Sequence, residues 1–268
     1  MTQPASISTN AAVGDRPSGT APDPPRRQSQ RGQKRVLIAA LGIAVLVAGL
    51  FAYLAVRYRE QQSSLADIRA TGLPSNIATP LANVMGLSPV PNRQAPDFTL
   101  TDQKGQALSL TSFRGRAVVL EFMDSHCTDI CPIVSQEFVD AYHDLGAEGW
   151  RVAFLAVNVN QYHAGVADMA AYSREHQLNT IPTWHFFTGS TGALRAVWQA
   201  YHVDVEAPNP NADIIHTSVV YFIDPQGRMR YLAVPMDDHT ASGTAYLPAS
   251  PLAQWGHGIA LVTGRLSR

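Results

Sequence analysis

Apolar positions fall into three kinds of run along the chain, and each kind predicts a different element. The first is continuous. Residues 36–56 carry no charge and are mostly Ala, Leu, Val, Ile and Gly. At ~1.5 Å rise per residue a helix over this run covers roughly 30 Å, the hydrocarbon thickness of a bilayer. It predicts a single transmembrane helix. The second kind is short and unbroken: 117–122 (AVVLEF), 150–157 (WRVAFLAV), 183–187 and 217–223 (TSVVYFI) read as buried strands. The third kind has helical spacing. From Pro132 to near Ala147, Val134, Phe138, Ala141 and Leu145 share one face, and 166–176, 193–200 and 252–261 follow as further helices. Two turn signals complete the pattern. Asp102-Gln103-Lys104-Gly105 joins 98–100 to 107–110, and Asp224-Pro225-Gln226-Gly227 joins the last strand to 229–234.

Strands and helices alternate, then end in a hairpin and a helix, so the pattern predicts an α/β domain with a mixed sheet flanked by helices. That domain is expected over residues 95–268. Residues 57–94 hold Pro74, Pro80, Pro89 and Pro91 and read as a spacer, with a short helix near 61–70. Residues 1–35, rich in Pro, Ser, Thr, Gln and Arg, read as a disordered tail.

Charge orients this layout. Arg26, Arg27, Arg31, Lys34 and Arg35 precede the apolar run, while Arg57 and Arg59 follow it beside Glu60. Positive residues favour the cytoplasmic side, so the N-terminus is expected inside and the domain outside the cell membrane. The long leader and the lack of a small-x-small site favour an uncleaved anchor over a signal peptide. The formal net charge is −1 with 15% charged residues. No basic stripe lies outside the membrane flank, which excludes nucleic acid as a partner.

Chemistry concentrates at the only two cysteines, Cys127-Thr128-Asp129-Ile130-Cys131, followed at once by Pro132. Outside the cytoplasm such a pair serves as a bridge, a redox couple or a metal site. As a staple it is weak, because closing so short a loop removes little chain entropy. A helical turn would bring positions i and i+4 to one face, and a helix start would lower a thiol's pKa. Both effects serve metal binding and disulfide exchange equally. Among nine histidines, His216 stands out because it directly precedes the strand TSVVYFI. Two sulfurs and one imidazole suit copper as Cu(I) or Cu(II). His126 is expected to face solvent. His163, His176, His202, His239 and His257 are expected at the surface, and His143 and His185 in packing or hydrogen bonding.

These residues carry a resemblance. Ala95-Pro96-Asp97-Phe98-Thr99-Leu100, then Gly115-Arg116-Ala117-Val118-Val119-Leu120-Glu121-Phe122 and Cys-x-x-x-Cys-Pro, resemble the thioredoxin-like superfamily. Trp184-His185-Phe186-Phe187-Thr188-Gly189, Tyr201, and His216-Thr217-Ser218 ahead of Tyr221-Phe222-Ile223-Asp224-Pro225-x-Gly227 narrow it. The chain is similar to the Sco (SenC) family of membrane-anchored copper chaperones over residues 95–265. The resemblance implies a thioredoxin-like domain and a copper ion held by Cys127, Cys131 and His216. It also implies a part in building the copper centre of cytochrome c oxidase, with an oxidase subunit or another copper client as partner and membrane lipid around the anchor. Asp129 matches the family's acidic residue inside the Cys turn.

The chain departs from the family at Thr128, where Pro is usual, and at Met123-Asp124-Ser125. A further departure is Asn158-Val159-Asn160-Gln161-Tyr162, where an Asp-Pro-x-x-Asp stretch is usual. The alternative is a membrane-tethered thiol–disulfide oxidoreductase with Cys127 and Cys131 as its redox pair. Ile181-Pro182-Thr183 resembles that class's proline loop but precedes a different strand from His216. A peroxidase is disfavoured, because Leu120 and Asp124 stand where its Pro and Thr are needed.

Overall fold

A computed structural model describes residues 30–268. The first element, α1 (Gln30–Gly72), is a single long helix. Over Ala40–Arg59 it is long and apolar enough to cross a membrane, with Leu46 and Phe51 among its exposed side chains. It begins inside the stretch read as tail and continues through the first part of the expected spacer. No proline interrupts it before Pro74, so nothing removes a backbone donor until the Gly72-Leu73-Pro74 stop. The remainder of the expected tail, residues 1–29, lies outside the described residues.

The globular unit comprises α2 (Thr79–Val84), β1 (Ser88–Gln94), β2 (Thr99–Thr101), β3 (Ala107–Ser109) and β4 (Ala117–Met123). Next come α3 (Ile130–Leu145), β5 (Val152–Asn158), α4 (Val166–Glu175), β6 (Trp184–Phe187) and α5 (Thr191–Ala200). The chain then forms β7 (Val205–Glu206), β8 (Ile215–His216), β9 (Val220–Ile223) and β10 (Arg228–Ala233). It closes with β11 (Asp238–His239), β12 (Ala245–Tyr246) and α6 (Ala249–Leu266).

Six strands make the main sheet in the order β1-β10-β9-β4-β5-β6. The three central-to-edge strands β4, β5 and β6 run parallel, and β9, β10 and β1 add on antiparallel. β4 is buried along its whole length, which explains its unbroken apolar run. Its alternate residues enter opposite cores. Ala117, Val119 and Met123 meet α3, α4 and α6, whereas Val118, Leu120 and Phe122 meet α5 and the β2–β3 hairpin. The result is the mixed, helix-flanked sheet of the thioredoxin-like class.

One boundary needs correction. The spacer expected over 57–94 is not a spacer after Gly72, because Ile77, Met85 and Leu87 are buried in the core. β1 also pairs with β10. Two of the prolines that suggested a linker, Pro89 and Pro91, lie in β1, the edge strand, where a missing donor can face solvent. The register between β4 and β9 positions the site. Val118 pairs with Ile223 and Leu120 with Tyr221, so the chain entering β9 lies beside the chain leaving β4.

Candidate metal centre

β4 delivers the chain to the carboxyl end of the sheet at Met123, and α3 carries it away from Ile130. Asp124–Asp129 spans the gap. In parallel α/β sheets this end is where backbone groups are free and sites gather. The Cys127 backbone N–H donates to the Asp124 carbonyl (3.2 Å), which curls the chain back toward the strand. The two cysteines do not share one helical turn as the spacing suggested. Cys127 precedes the helix, Cys131 lies in its first turn, and Asp129 between them has φ −108° and ψ −109°.

The thiols are nevertheless partners, and they are unequal. Both are free. Cys127 is half-buried, and its sulfur accepts the Asp129 backbone N–H at 3.4 Å. Cys131 is only 2% exposed. The hydrogen bond from Cys131 is the main cause that brings the Cys127 thiol down to about 7, against an opposing effect of burial. The same bond, followed by burial, pushes Cys131 well up. One sulfur is thus acidic and reachable, and the other is a buried donor. An open groove lined by Cys127, Thr128, Pro132, Tyr172, Glu175 and His176 leads to the reachable one.

His216 occupies β8, where it pairs with Val205. Its Nδ1 lies 3.1 Å from the Thr217 carbonyl. A carbonyl only accepts, so Nδ1 carries the proton and Nε2 keeps its lone pair. Burial lowers its pKa and keeps the ring neutral, while the charge of Asp124 acts in the opposite direction. The Asp124 charge also acts on Cys127, whereas Cys131 meets Asp124 through its backbone. Cys127 and His216 therefore both lie within electrostatic reach of the Asp124 carboxylate. They do not yet form a cage. Among the described residues, one group of three candidate donors has its ligand atoms within 4.8 Å of one another, and it is Asp129, Asp237 and His239.

Sequence reasoning left that group out. His239 Nε2 donates to Asp129 Oδ1 at 3.0 Å and lies 3.6 Å from Asp237 Oδ2. The β11–β12 hairpin is thereby tied to the Cys turn. The signal available was Asp237-Asp238-His239 itself, three donors ahead of a turn, but its target lies 110 residues away. Of the other histidines, His126 faces solvent and stacks on His163 at 3.7 Å between centroids. His185 bonds to Asp102 Oδ2 (2.9 Å) and packs on Phe113, as expected. His143 corrects an expectation. It is exposed, because the buried face of α3 runs through Val134, Phe138 and Ala141.

The loop facing the Cys turn also separates two readings. β9, preceded by His216-Thr217-Ser218, is β4's antiparallel neighbour, whereas Ile181-Pro182-Thr183 feeds β6 at the sheet edge.

Comparison with known proteins adds the lineage. The SCO1/SenC family model matches residues 88–244. A Bacillus subtilis SCO1 protein homolog is 24% identical over 140 residues, covering 52% of this chain and 72% of its own length. The mitochondrial SCO2 homolog of Bos taurus is 31% identical over 137 residues, but the match spans 49% of this chain and only half (50%) of that relative. In structure, the copper-bound ScoI of Bradyrhizobium japonicum is similar with a TM-score of 0.50 and 22% identity, over 65% of this chain and 99% of that one. At that identity the likeness shows the fold. The family match runs from β1 through the Cys turn and His216 into the β11–β12 hairpin, more than half of the chain, and the chain belongs to the SCO1/SenC family.

Proposed function

We propose that this chain is a membrane-anchored copper-binding protein whose domain lies outside the cytoplasm and binds one copper ion through Cys127, Cys131 and His216. It delivers that ion to the copper centre of cytochrome c oxidase, or reduces the cysteines of that centre. One observation carries the reading: a hydrogen-bonded pair of free thiols, one of them acidic and beside an open groove. Thiolate is the donor that selects Cu(I), and a neutral imidazole with a free Nε2 lets the same set accept Cu(II). The donor chemistry therefore fits copper. In the structure the three do not lie within 4.8 Å of one another, so binding one ion through all three requires them to draw together.

The reductase reading draws on the same asymmetry. A reachable thiolate with a buried partner can attack a disulfide through Cys127 and resolve the mixed disulfide through Cys131. The two readings differ at His216, which only metal binding requires. Full-length protein in detergent, reduced and anaerobic, is expected to take up one copper ion per chain. His216→Ala is expected to weaken Cu(II) binding at least ~10-fold with both thiols still titratable. Unchanged Cu(II) affinity in that variant would move the assignment to thiol–disulfide exchange.

A further inference from the structure

Asp124 is the acidic residue at the exit of β4, three residues before Cys127. It is only 6% exposed. Its Oδ1 accepts the His126 backbone N–H at 2.8 Å and the Asn160 side-chain amide at 3.0 Å. Asn160 is itself fixed. Its Oδ1 accepts the N–H groups of Tyr162 (3.0 Å) and His163 (3.2 Å), and its own N–H donates to Asn158 Oδ1 (2.9 Å). The Asn158 amide donates in turn to the carbonyls of Asn160 and His163 (2.8 and 3.0 Å). Both of these donors to Oδ1 are neutral N–H groups. Such donors hold a carboxylate in place without bringing a positive charge to it.

We propose that Asp124, clamped by Asn160, is a positioning residue that biases the Cys127–Cys131–His216 site toward the divalent over the monovalent copper ion. The inference rests on the copper reading above. A fixed negative charge attracts an ion in proportion to the ion's charge, so it favours Cu(II) about twice as strongly as Cu(I) at the same point. Burial keeps water from screening it. The Cys127 N–H donates to the Asp124 carbonyl (3.2 Å) and the His126 N–H to its carboxylate, so the charge sits at the foot of the Cys turn, where the Cys127 sulfur and the His216 ring both feel it. The β4 exit and the end of β5 therefore act as one unit, with Asp124 supplying the charge and Asn160 holding it.

The test uses full-length protein in detergent, with Cu(II) and Cu(I) affinities measured separately by competition against chelators of known strength. In Asp124→Asn the Cu(II) affinity is expected to fall ~10-fold or more beyond any change for Cu(I). For a one-electron couple that ratio raises the copper midpoint potential by ~59 mV. Equal losses for both ions, or none, overturn the proposal, because a merely structural role moves both together. The exchange variant Asp124→Asn with Asn160→Asp retains the pair and its charge. Its midpoint is expected to return at least halfway to the wild-type value, and this variant carries the test alone if the single change fails to fold. A midpoint still fully displaced in the exchange variant overturns the proposal. Wild-type protein that binds neither ion sinks the copper reading itself, a result distinct from both.

Discussion

At the scale of single residues, the two cysteines divide the work through one hydrogen bond. Cys131 can lower the acidity threshold of Cys127 only while it stays protonated, and its burial keeps it so. Removing the donor tests this. With Cys127 at about 7, roughly half of it is thiolate at pH 7, whereas an unperturbed thiol is a few per cent ionised. Cys131→Ala is expected to slow alkylation of Cys127 at pH 7 at least ~10-fold, with the rate's inflection moving toward the ordinary thiol range. An unmoved inflection would mean that the backbone N–H groups of residues 131 and 129, not the Cys131 thiol, set the acidity. The cysteine pair stood out in the sequence because only two cysteines occur, and His216 was picked from nine histidines by its place just ahead of a strand. Asp124 and the Asp129–His239 contact were not, because their meaning lies in neighbours brought 36 and 110 residues through the fold.

At the scale of elements, β4 and α3 carry a second feature that no site explains. Glu121 on β4 and Glu137 on α3 are 2% and 0% exposed. Glu121 Oε2 and both Glu137 oxygens lack a hydrogen-bond partner. Alternation along β4 aims Glu121 at the α3 side with Val119 and Met123. Burial first, then the neighbouring carboxyl, pushes Glu121 well above its ordinary 4.5; burial does the same for Glu137. In the fold these groups stay protonated, while in the unfolded chain they ionise near 4.5. Stability is therefore fully present below pH 4.5 and lost as pH rises toward the folded value. Glu137→Met, which keeps volume and removes the unpartnered oxygens, is expected to stabilise by ~1–3 kcal/mol at pH 7 and by less at pH 4. Thermal melts at the two pH values read this directly, at ~2–4 °C per kcal/mol for a domain of this size. A gain that is the same at both pH values would point to better packing alone. The apolar runs of β4, β5 and α3 were readable because each element buries a regular pattern. The two-residue strands β7, β8, β11 and β12 were not, since they rest on pairing between distant segments and carry no period of their own.

At the scale of the whole molecule, the folded unit starts earlier than its apolar pattern suggests. Prolines made residues 73–94 look like a linker, but those prolines are tolerated at the start of α2 and along an edge strand. What the segment contributes is contact. Met85 lies so close to α6 that a Cβ on Gly258 would meet its sulfur at 2.2 Å. Trp255 Nε1 donates to the Val84 carbonyl (3.2 Å), Asn76 donates to the Leu261 carbonyl (2.9 Å), and Val234 donates its N–H to the Met85 carbonyl (3.1 Å). Burying Ile77, Met85 and Leu87 stabilises by ~1.5–3 kcal/mol each. Three such side chains contribute about 4.5–9 kcal/mol, comparable to the ~5–15 kcal/mol that holds an ordinary domain together. Their loss would also strip β1 from β10 and leave a new open edge. A soluble chain starting at Leu73 is accordingly expected to melt in one cooperative transition. One starting at Ala95 is expected to show no such transition and to aggregate. Equal melting temperatures for the two chains would mean that residues 73–94 only lie on the domain, and that the core under α6 closes without them.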